Sequence, residues 1–146
     1  MREILFRGKR IDSGEWIYGY LIADTADCSL KRQGKCRCPH DGSYAEIYEW
    51  QNDLHEYNGE EVVPATVGQY TGLTDKNGKR IFEGDIVKDT KTNVAYCVTF
   101  PSGSFQIENP KNEWDVDLLY PLVGAGRCEI IGNTHDNPEL LDGVAT

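Results

Sequence analysis

Apolar and polar residues alternate along most of this chain, which is the pattern of β-strands with one buried face. In residues 2–22, Ile4 and Phe6 alternate with charged neighbours and Asp12-Ser13-Gly14 supplies turn residues, so this segment predicts a β-hairpin. The return strand is apolar on both faces. One face carries Trp16, Tyr18, Tyr20 and Ile22, and the other carries Ile17 and Leu21. Such a strand needs a cover on each side, which either residues 24–60 or a second copy of the chain would provide.

The segment 24–60 gives conflicting signals. From Cys28 to Gly42 it is polar and rich in turn-forming residues, which predicts a long loop or an irregular hairpin. Helical spacing then fits Ile47, Trp50, Leu54 and Tyr57, whereas two-residue spacing fits Tyr44, Glu46, Tyr48 and Trp50. Because Asn52-Asp53 and Asn58-Gly59 would break a helix early, we expect a strand followed by a loop.

From Val62 onward the pattern is that of strands. The pair Asn77-Gly78 between two strand-like runs is a strong hairpin signal, and it predicts a type I′ turn in which both residues have positive φ. Residues 94–107 alternate with a two-residue period around Pro101-Ser102-Gly103 and predict a second hairpin. Residues 127–131 predict a last strand.

The region near the end of the chain is less regular. Residues 114–120 have no clear pattern, and Pro121 marks an edge or a strand end. Asn137 stands where a helix N-cap would, with Pro138 at the first helical position, which predicts a single short helical turn. The tail, residues 142–146, is expected to fray.

Together these elements predict a mostly β fold. About five or six short strands with tight turns indicate a small, strongly bent SH3-like barrel over about residues 62–135, preceded by an N-terminal β-hairpin and an irregular 24–60 insertion. We therefore divide the chain into residues 1–61, residues 62–141 and the tail. With 146 residues the chain can bury a core without the help of a metal or disulfides.

Three segments, in order along the chain, resemble the YopX family of small phage and prophage proteins. They are Met1–Gly8 with Glu15-Trp16 and Gly19-Tyr20, then Thr66–Leu73 through Gly84–Val87, and finally Ile130–Asn133 with Asn137–Leu141. The resemblance does not extend to residues 24–60. It implies a similar barrel and a phage or prophage context, and it transfers no catalytic residues, so catalytic positions stay unknown. Its signature positions are structural: Gln69, Tyr70, Thr71, Gly72, Asn77, Gly78, Gly84 and Asp85.

The charge and hydropathy of the chain restrict its expected cellular location and the expected chemical class of its partners. No run approaches the ~20 apolar residues of a membrane span, and the opening residues do not form a signal peptide, so we expect the cytoplasm of a bacterial host cell and no membrane partner. The net charge of −9 disfavours nucleic acid, because binding strength there comes largely from contacts between cations and phosphates. Two local basic clusters, Arg7-Lys9-Arg10 and Lys31–Arg37, are expected to be solvated.

The cysteines offer one constellation that resembles a metal site. Cys28, Cys36, Cys38 and His40 would supply the four ligands that zinc requires. Their spacing argues against it, because zinc ligands are usually paired two to four residues apart and a Cys-x-Cys pair on an extended chain points its side chains in opposite directions. We therefore predict reduced thiols, no metal and no cofactor.

The other side chains that could take part in acid–base or nucleophilic catalysis are better explained as parts of local turns. Asp85 and Glu83 flank Gly84, with Asp75 upstream, and carboxylates at such a corner usually accept backbone N–H bonds. His55 and His135 have no serine or cysteine nearby in sequence.

The aromatic residues of the first half suggest binding. They are Trp16, Tyr18, Tyr20, Tyr44, Tyr48, Trp50 and Tyr57. Tyr and Trp suit interfaces as well as cores, and beside Arg7, Lys9 and Arg10 they could stack on bases. The sequence thus favours a non-enzymatic accessory protein that binds another protein or a second copy of itself. A nucleic-acid-binding barrel is the second interpretation, and a zinc module or enzyme centred on the cysteine loop is the third.

Overall fold

A computed structural model describes residues 3–24, 44–51 and 56–142, and these consist mostly of β-strands. The strands are β1 (Phe6–Lys9), β2 (Trp16–Asp24), β3 (Tyr44–Gln51), β4 (Glu56–Val62), β5 (Gly68–Thr74), β6 (Arg80–Phe82), β7 (Asp85–Asp89), β8 (Ala95–Thr99), β9 (Gln106–Glu108), β10 (Val116–Leu118) and β11 (Cys128–Asn133). The helical segments are the α-helix α1 (Leu119–Gly124) and the 3-10 turns Pro64–Thr66 and Pro138–Leu141. None of these described helical segments is long and apolar enough to cross a bilayer.

The chain folds as two compact units. The N-terminal unit is Leu5–Val67, and the C-terminal unit combines Met1–Ile4 with Gly68–Thr146.

The N-terminal unit is an antiparallel sheet that curls around a small core. Its strands lie in the order β4, β3, β2, β1. Just beyond β1, Arg10 forms a bridge with Val62 of β4, and the Val63 N–H donates to the Lys9 carbonyl at 2.9 Å. The first and last strands therefore meet at one end of the sheet. The core inside the curl is Ile17, Ala45, Ile47 and Val62, with Phe6, Leu21 and Val67 packed against it.

Two glycines allow this curl. A Cβ at Gly8 would lie 2.9 Å from a methyl carbon of Val62, and a Cβ at Gly19 would collide with the backbone carbonyl of Tyr48. Because neither neighbour leaves room for a side chain, the strands approach closely at these two positions.

The sequence predictions for this unit are mostly confirmed. Strands β1 and β2 form the predicted hairpin, and residues 44–51 form the predicted strand. The described part of the insertion is not irregular, since Glu56–Val62 is a strand paired with β3 and not the expected loop. Ile17 and Leu21 lie inside the curl, packed with Ala45, Ile47 and Val62 of the same chain, so this face of β2 is covered intramolecularly.

The C-terminal unit contains a β5–β6 ladder and a five-stranded antiparallel sheet in the order β10, β9, β8, β7, β11. A bulge interrupts β11 between Ile130 and Gly132. The core of this unit comprises Ile81, Val87, Val98, Ile107, Leu119, Leu122 and Cys128. Among the described strands no sheet closes on itself, so the mostly β fold is confirmed and the SH3-like barrel of residues 62–135 is not.

The turn at residues 75–79 differs from the predicted type I′ geometry. It joins two antiparallel strands as expected, but only Gly78 has a positive φ, of 82°, and Asn77 does not. The cause is the buried carboxylate of Asp75, which accepts the N–H groups of Asn77 and Lys79, each at 2.9 Å. Its second oxygen accepts the Ile130 N–H at 3.1 Å, so this side chain also ties the turn to β11.

Helix α1 was not predicted. Pro121 is the third residue of the helix, where its missing N–H costs nothing because the first-turn N–H groups have no partner within the helix. The predicted short turn near the end is confirmed as Pro138–Leu141, but the Asn137 side chain accepts the Asn133 N–H at 3.3 Å and does not cap the turn.

The Asp75 carboxylate is expected to stabilise the fold in a pH-dependent way. Burial alone would raise its pKa, but the hydrogen bonds from Ile130, Lys79 and Asn77 outweigh that effect, so its pKa lies below the ordinary value. A lowered folded pKa means that the stabilisation is present above about pH 4 and is lost as the pH falls through the folded value. Asp75→Asn should lower the free energy of unfolding by about 1–3 kcal/mol at pH 7, because an amide N–H would face a backbone N–H.

Urea unfolding between pH 7 and acid conditions measures this effect. The variant should also show a flatter decline in stability on acidification than the unmodified chain. Asp142→Asn, at an exposed position, is the matched control and should change neither quantity. Equal stability and an unchanged acid profile for Asp75→Asn would contradict the assignment.

The thiols of Cys97 and Cys128 should resist modification in the folded protein. Burial raises the pKa of Cys97 to about 11 and that of Cys128 to about 12, so both are protonated at neutral pH. In a variant with serine at Cys28, Cys36 and Cys38, alkylation by iodoacetamide at pH 8 should be about a hundredfold slower than at a cysteine placed at the exposed Ser102.

These raised folded pKa values also predict that stability declines as the pH rises above about 9, because only the unfolded chain then ionises its thiols. Fast modification of either cysteine before unfolding would show that the thiols are accessible thiolates.

Candidate protein-binding surfaces

The metal-like constellation lies outside the described residues. This applies to Cys28, Cys36, Cys38 and His40, and also to His55. Within residues 3–24, 44–51 and 56–142, no three His, Cys, Asp or Glu side chains are grouped so as to hold a metal ion.

The carboxylates around Gly84 hold backbone groups. An Asp85 oxygen accepts the Phe82 N–H at 2.8 Å in a buried position, and Asp75 accepts the three N–H groups described above. His135 lies exposed in a turn, where its backbone N–H donates to the Asn133 side chain at 3.0 Å. These side chains therefore hold the backbone in turn conformations.

The signature residues surround the β5–β6 ladder and the turn that follows it. The Thr71 hydroxyl donates to the Ile81 carbonyl at 2.8 Å, and the Gln69 carbonyl accepts the Glu83 N–H at 2.9 Å. The Tyr70 ring lies 5.6 Å from the Phe82 ring, measured between centroids. The glycines with positive φ in this block are Gly72, Gly78 and Gly84. These positions fix backbone geometry, which only glycine adopts without strain where φ is positive.

The first exposed apolar surface lies on β2. We call it the β2 face, and define it as Trp16, Tyr18, Tyr20 and Ile22. Tyr20 and Ile22 are more than half exposed and Tyr18 is 42% exposed, whereas Trp16 is partly buried. Arg7 and Lys9 lie over the Trp16 ring, with the Arg7 guanidinium carbon 4.5 Å and the Lys9 Nζ 5.5 Å from its centroid.

Strand β3 adds a tyrosine and a carboxylate to the β2 face. Tyr20 pairs with Tyr48 and Ile22 pairs with Glu46, so these side chains share one side of the sheet. The Tyr48 hydroxyl donates to Glu46 at 2.8 Å, and this hydrogen bond raises the pKa of Tyr48. The side chains of the other predicted aromatics lie outside the described part of the chain: Tyr44, Trp50 and Tyr57.

A second and more exposed surface surrounds β10. We call it the β10 row, and define it as Trp114, Val116, Leu118 and Tyr120. Their exposed fractions are 86%, 44%, 48% and 70%. By contrast, the two leucines of the adjoining helix α1, Leu119 and Leu122, are buried in the core of this unit. Four large apolar side chains within seven residues make a concentrated exposed patch.

The β10 row lies on a sheet edge. Strand β10 is last in its sheet and pairs with β9 alone among the described strands. The Asn109 N–H donates to the Asp115 carbonyl, and the Leu119 N–H donates to the Phe105 carbonyl. In an antiparallel ladder only alternate residues of a strand bond to the neighbouring strand, so the N–H groups of Val116 and Leu118 point away from β9. The Leu118 N–H is taken by the carboxylate of Asp117 at 2.8 Å. A three-residue edge with an acidic cap is protected from uncontrolled strand pairing.

Sequence reasoning missed this surface, although a signal was present. Apolar residues occupy every second position from Trp114 to Tyr120, and each of the first three is preceded by an acidic residue: Glu113, Asp115 and Asp117. Such alternation predicts a strand with one apolar face, but it does not tell whether that face is covered. What both surfaces offer chemically is contact area for another macromolecule.

Comparison with known proteins identifies relatives of this chain. The YopX protein family matches residues 5–142. The chain is 39% identical over 72 residues to the SPbeta prophage-derived uncharacterized protein YopX of Bacillus subtilis (strain 168), a match that covers 46% of this chain and 54% of that protein, so the chain spans about half the length of this curated relative.

The fold is similar to that in the crystal structure of protein EF1440 from Enterococcus faecalis. The TM-score is 0.58 at 21% sequence identity, and the match covers 97% of this chain and 100% of that one. This likeness concerns the fold alone. The resemblance noted from the sequence is confirmed by the family match, which extends over nearly the whole chain. The protein therefore belongs to the YopX family.

Proposed function

We propose that this protein is a non-enzymatic accessory protein of phage or prophage origin that acts inside its bacterial host by binding another protein. The observation that carries the proposal is the β10 row. Trp and Tyr are enriched in protein interfaces and often dominate their binding energy, since they combine a large apolar area with a polar group. An 86% exposed tryptophan beside three further exposed apolar residues supports a partner that covers them.

The partner in this proposal is a different protein and not a second copy of the chain. Self-association was expected as one way to cover Ile17 and Leu21, and the core of their own unit covers these two residues. The β2 face stays exposed, and the light-scattering experiment below distinguishes a second copy from a different protein. The prophage-derived origin of the Bacillus subtilis relative supports the proposed context.

A second candidate function is binding of single-stranded nucleic acid on the β2 face. The contacts of Arg7 and Lys9 with Trp16 favour it, since cations and aromatic rings together form base-stacking surfaces. However, Glu46 and Glu61 pair with each other on the same side of that sheet and would repel phosphates.

Retention of host proteins by the immobilised chain tests the main proposal. The double variant Trp114→Ser/Leu118→Ser should weaken partner binding roughly thirtyfold, because truncating buried interface aromatics commonly costs that much. Ile11→Ser, which alters an exposed apolar residue of the other unit, is the control and should bind normally. Circular dichroism would show that both variants stay folded.

An unchanged set of retained proteins for the double variant would refute a role for the β10 row. Light scattering of the purified chain at micromolar concentration adds a second readout. A dimer that disappears in the double variant would identify the partner as a second copy.

Fluorescence anisotropy with a labelled oligothymidine tests the second candidate. We expect no binding tighter than about 10 μM at physiological salt, given the carboxylates on the β2 face. Tighter binding that weakens as salt rises, and that is lost in Lys9→Gln, would favour nucleic acid over protein as the partner.

A further inference from the structure

A pocket adjoins the β10 row on the same side of the sheet. Glu108 of β9 is paired with Cys97 of β8 on one side and with Val116 of β10 on the other, so these three side chains form a row across the strands. The pocket above this row has a volume of about 340 Å³ and is lined by Cys97, Glu108, Asn109, Pro110, Glu113 and Val116. This volume lies at the small end of the range for ligand pockets and suits one inserted side chain.

Two carboxylates of the pocket, Glu108 and Glu113, form no ion pair with a cation among the described residues. Nor does either form a side-chain hydrogen bond within the described part of the chain. The neighbouring acids differ in this respect, because Asp115 accepts hydrogen bonds from Tyr96 and Asn109, and Asp117 accepts the Leu118 N–H.

The surrounding sequence is strongly acidic. Residues 105–124 contain four acidic residues and a single basic one, Lys111. A protein partner that covers the β10 row would bring its own groups next to this negative charge, so complementarity requires a positive one.

We infer that the pocket receives an arginine or lysine side chain from the protein that covers the β10 row, an inference that rests on the proposed function. Pro110 and Val116 would contact the aliphatic stem of that side chain, and Glu108 and Glu113 would accept hydrogen bonds from its cationic end. Arginine fits better than lysine, because its planar guanidinium can donate to two carboxylates at once. The partner segment is thus basic and apolar, with the cation next to residues that pack on Val116 and Leu118.

A pair of matched peptides tests this chemistry. The probe is acetyl-Leu-Arg-Leu-Arg-Leu-amide, and its control carries citrulline, which has nearly the shape of arginine and no charge. Titration into the isotopically labelled full chain, followed by amide and glutamate side-chain NMR signals, gives the affinity and the position of binding. The arginine peptide should bind at least roughly tenfold more tightly than the citrulline peptide, and it should shift the signals of Glu108 and Glu113.

Two variants separate the two parts of the proposal. Glu108→Gln/Glu113→Gln should remove the preference for arginine over citrulline. The matched control Glu15→Gln/Glu139→Gln changes the net charge equally at exposed positions and should keep the preference. Trp114→Ser/Leu118→Ser should weaken the binding of both peptides.

Each failure has a distinct meaning. Equal affinities for the two peptides, or shifts confined to residues outside the pocket, would overturn the cation-binding assignment while leaving the β10 row as a protein-binding surface. An arginine peptide that binds more weakly than about 1 mM would also overturn it. Loss of host-protein retention is a separate experiment, and only its outcome concerns the proposed function.

Discussion

Each strand of a small sheet has two faces. The hydrophobic core of each compact unit of this chain is large enough to cover only one of these two faces. In the N-terminal unit the buried core residues that the structure describes lie inside a curled sheet, and the outer face of β2 stays in contact with solvent. In the C-terminal unit the core takes Leu119 and Leu122 from the segment around β10 and leaves its other apolar residues outside. The exposed surfaces follow from this limit, because apolar side chains in excess of the available core must lie on the surface.

The alternation of residues in the sequence predicts which side chains share a face of β2. It does not predict which of the two faces is buried in the core. The bulkier set, which includes Trp16 and Tyr20, lies outside, and the aliphatic set with Ile17 lies inside. The inside of the curl is narrow at Gly8 and Gly19, where a side chain would collide with Val62 and with the Tyr48 carbonyl. Such a choice depends on contacts between strands far apart in sequence, which a local pattern does not contain.

Around β10 the local rules were themselves ambiguous. Alternation indicates a strand over residues 114–120, but the strand ends at Leu118 and helix α1 begins at the next residue. Pro121 was interpreted as a strand end, although the first turn of a helix tolerates proline equally well. The turn at Asn77-Gly78 lies where the sequence predicts it, but its type differs, because the buried Asp75 side chain determines its geometry. The hairpins β1–β2, β5–β6 and β8–β9 were predictable from the turn residues between their strands, whereas the β3–β4 hairpin was expected to be a strand followed by a loop.

The pairing of Asp24 with Tyr44 at the ends of β2 and β3 has a consequence for how the chain can vary. These two residues are neighbours in the ladder regardless of how many residues connect them. The entropy of closing a loop grows only with the logarithm of its length, so doubling the connection costs about 0.6 kcal/mol. Related chains could therefore lengthen or shorten this connection at almost no cost in stability. The position between these strands is accordingly suited to acquiring new sequence, while the sheet that anchors it stays unchanged.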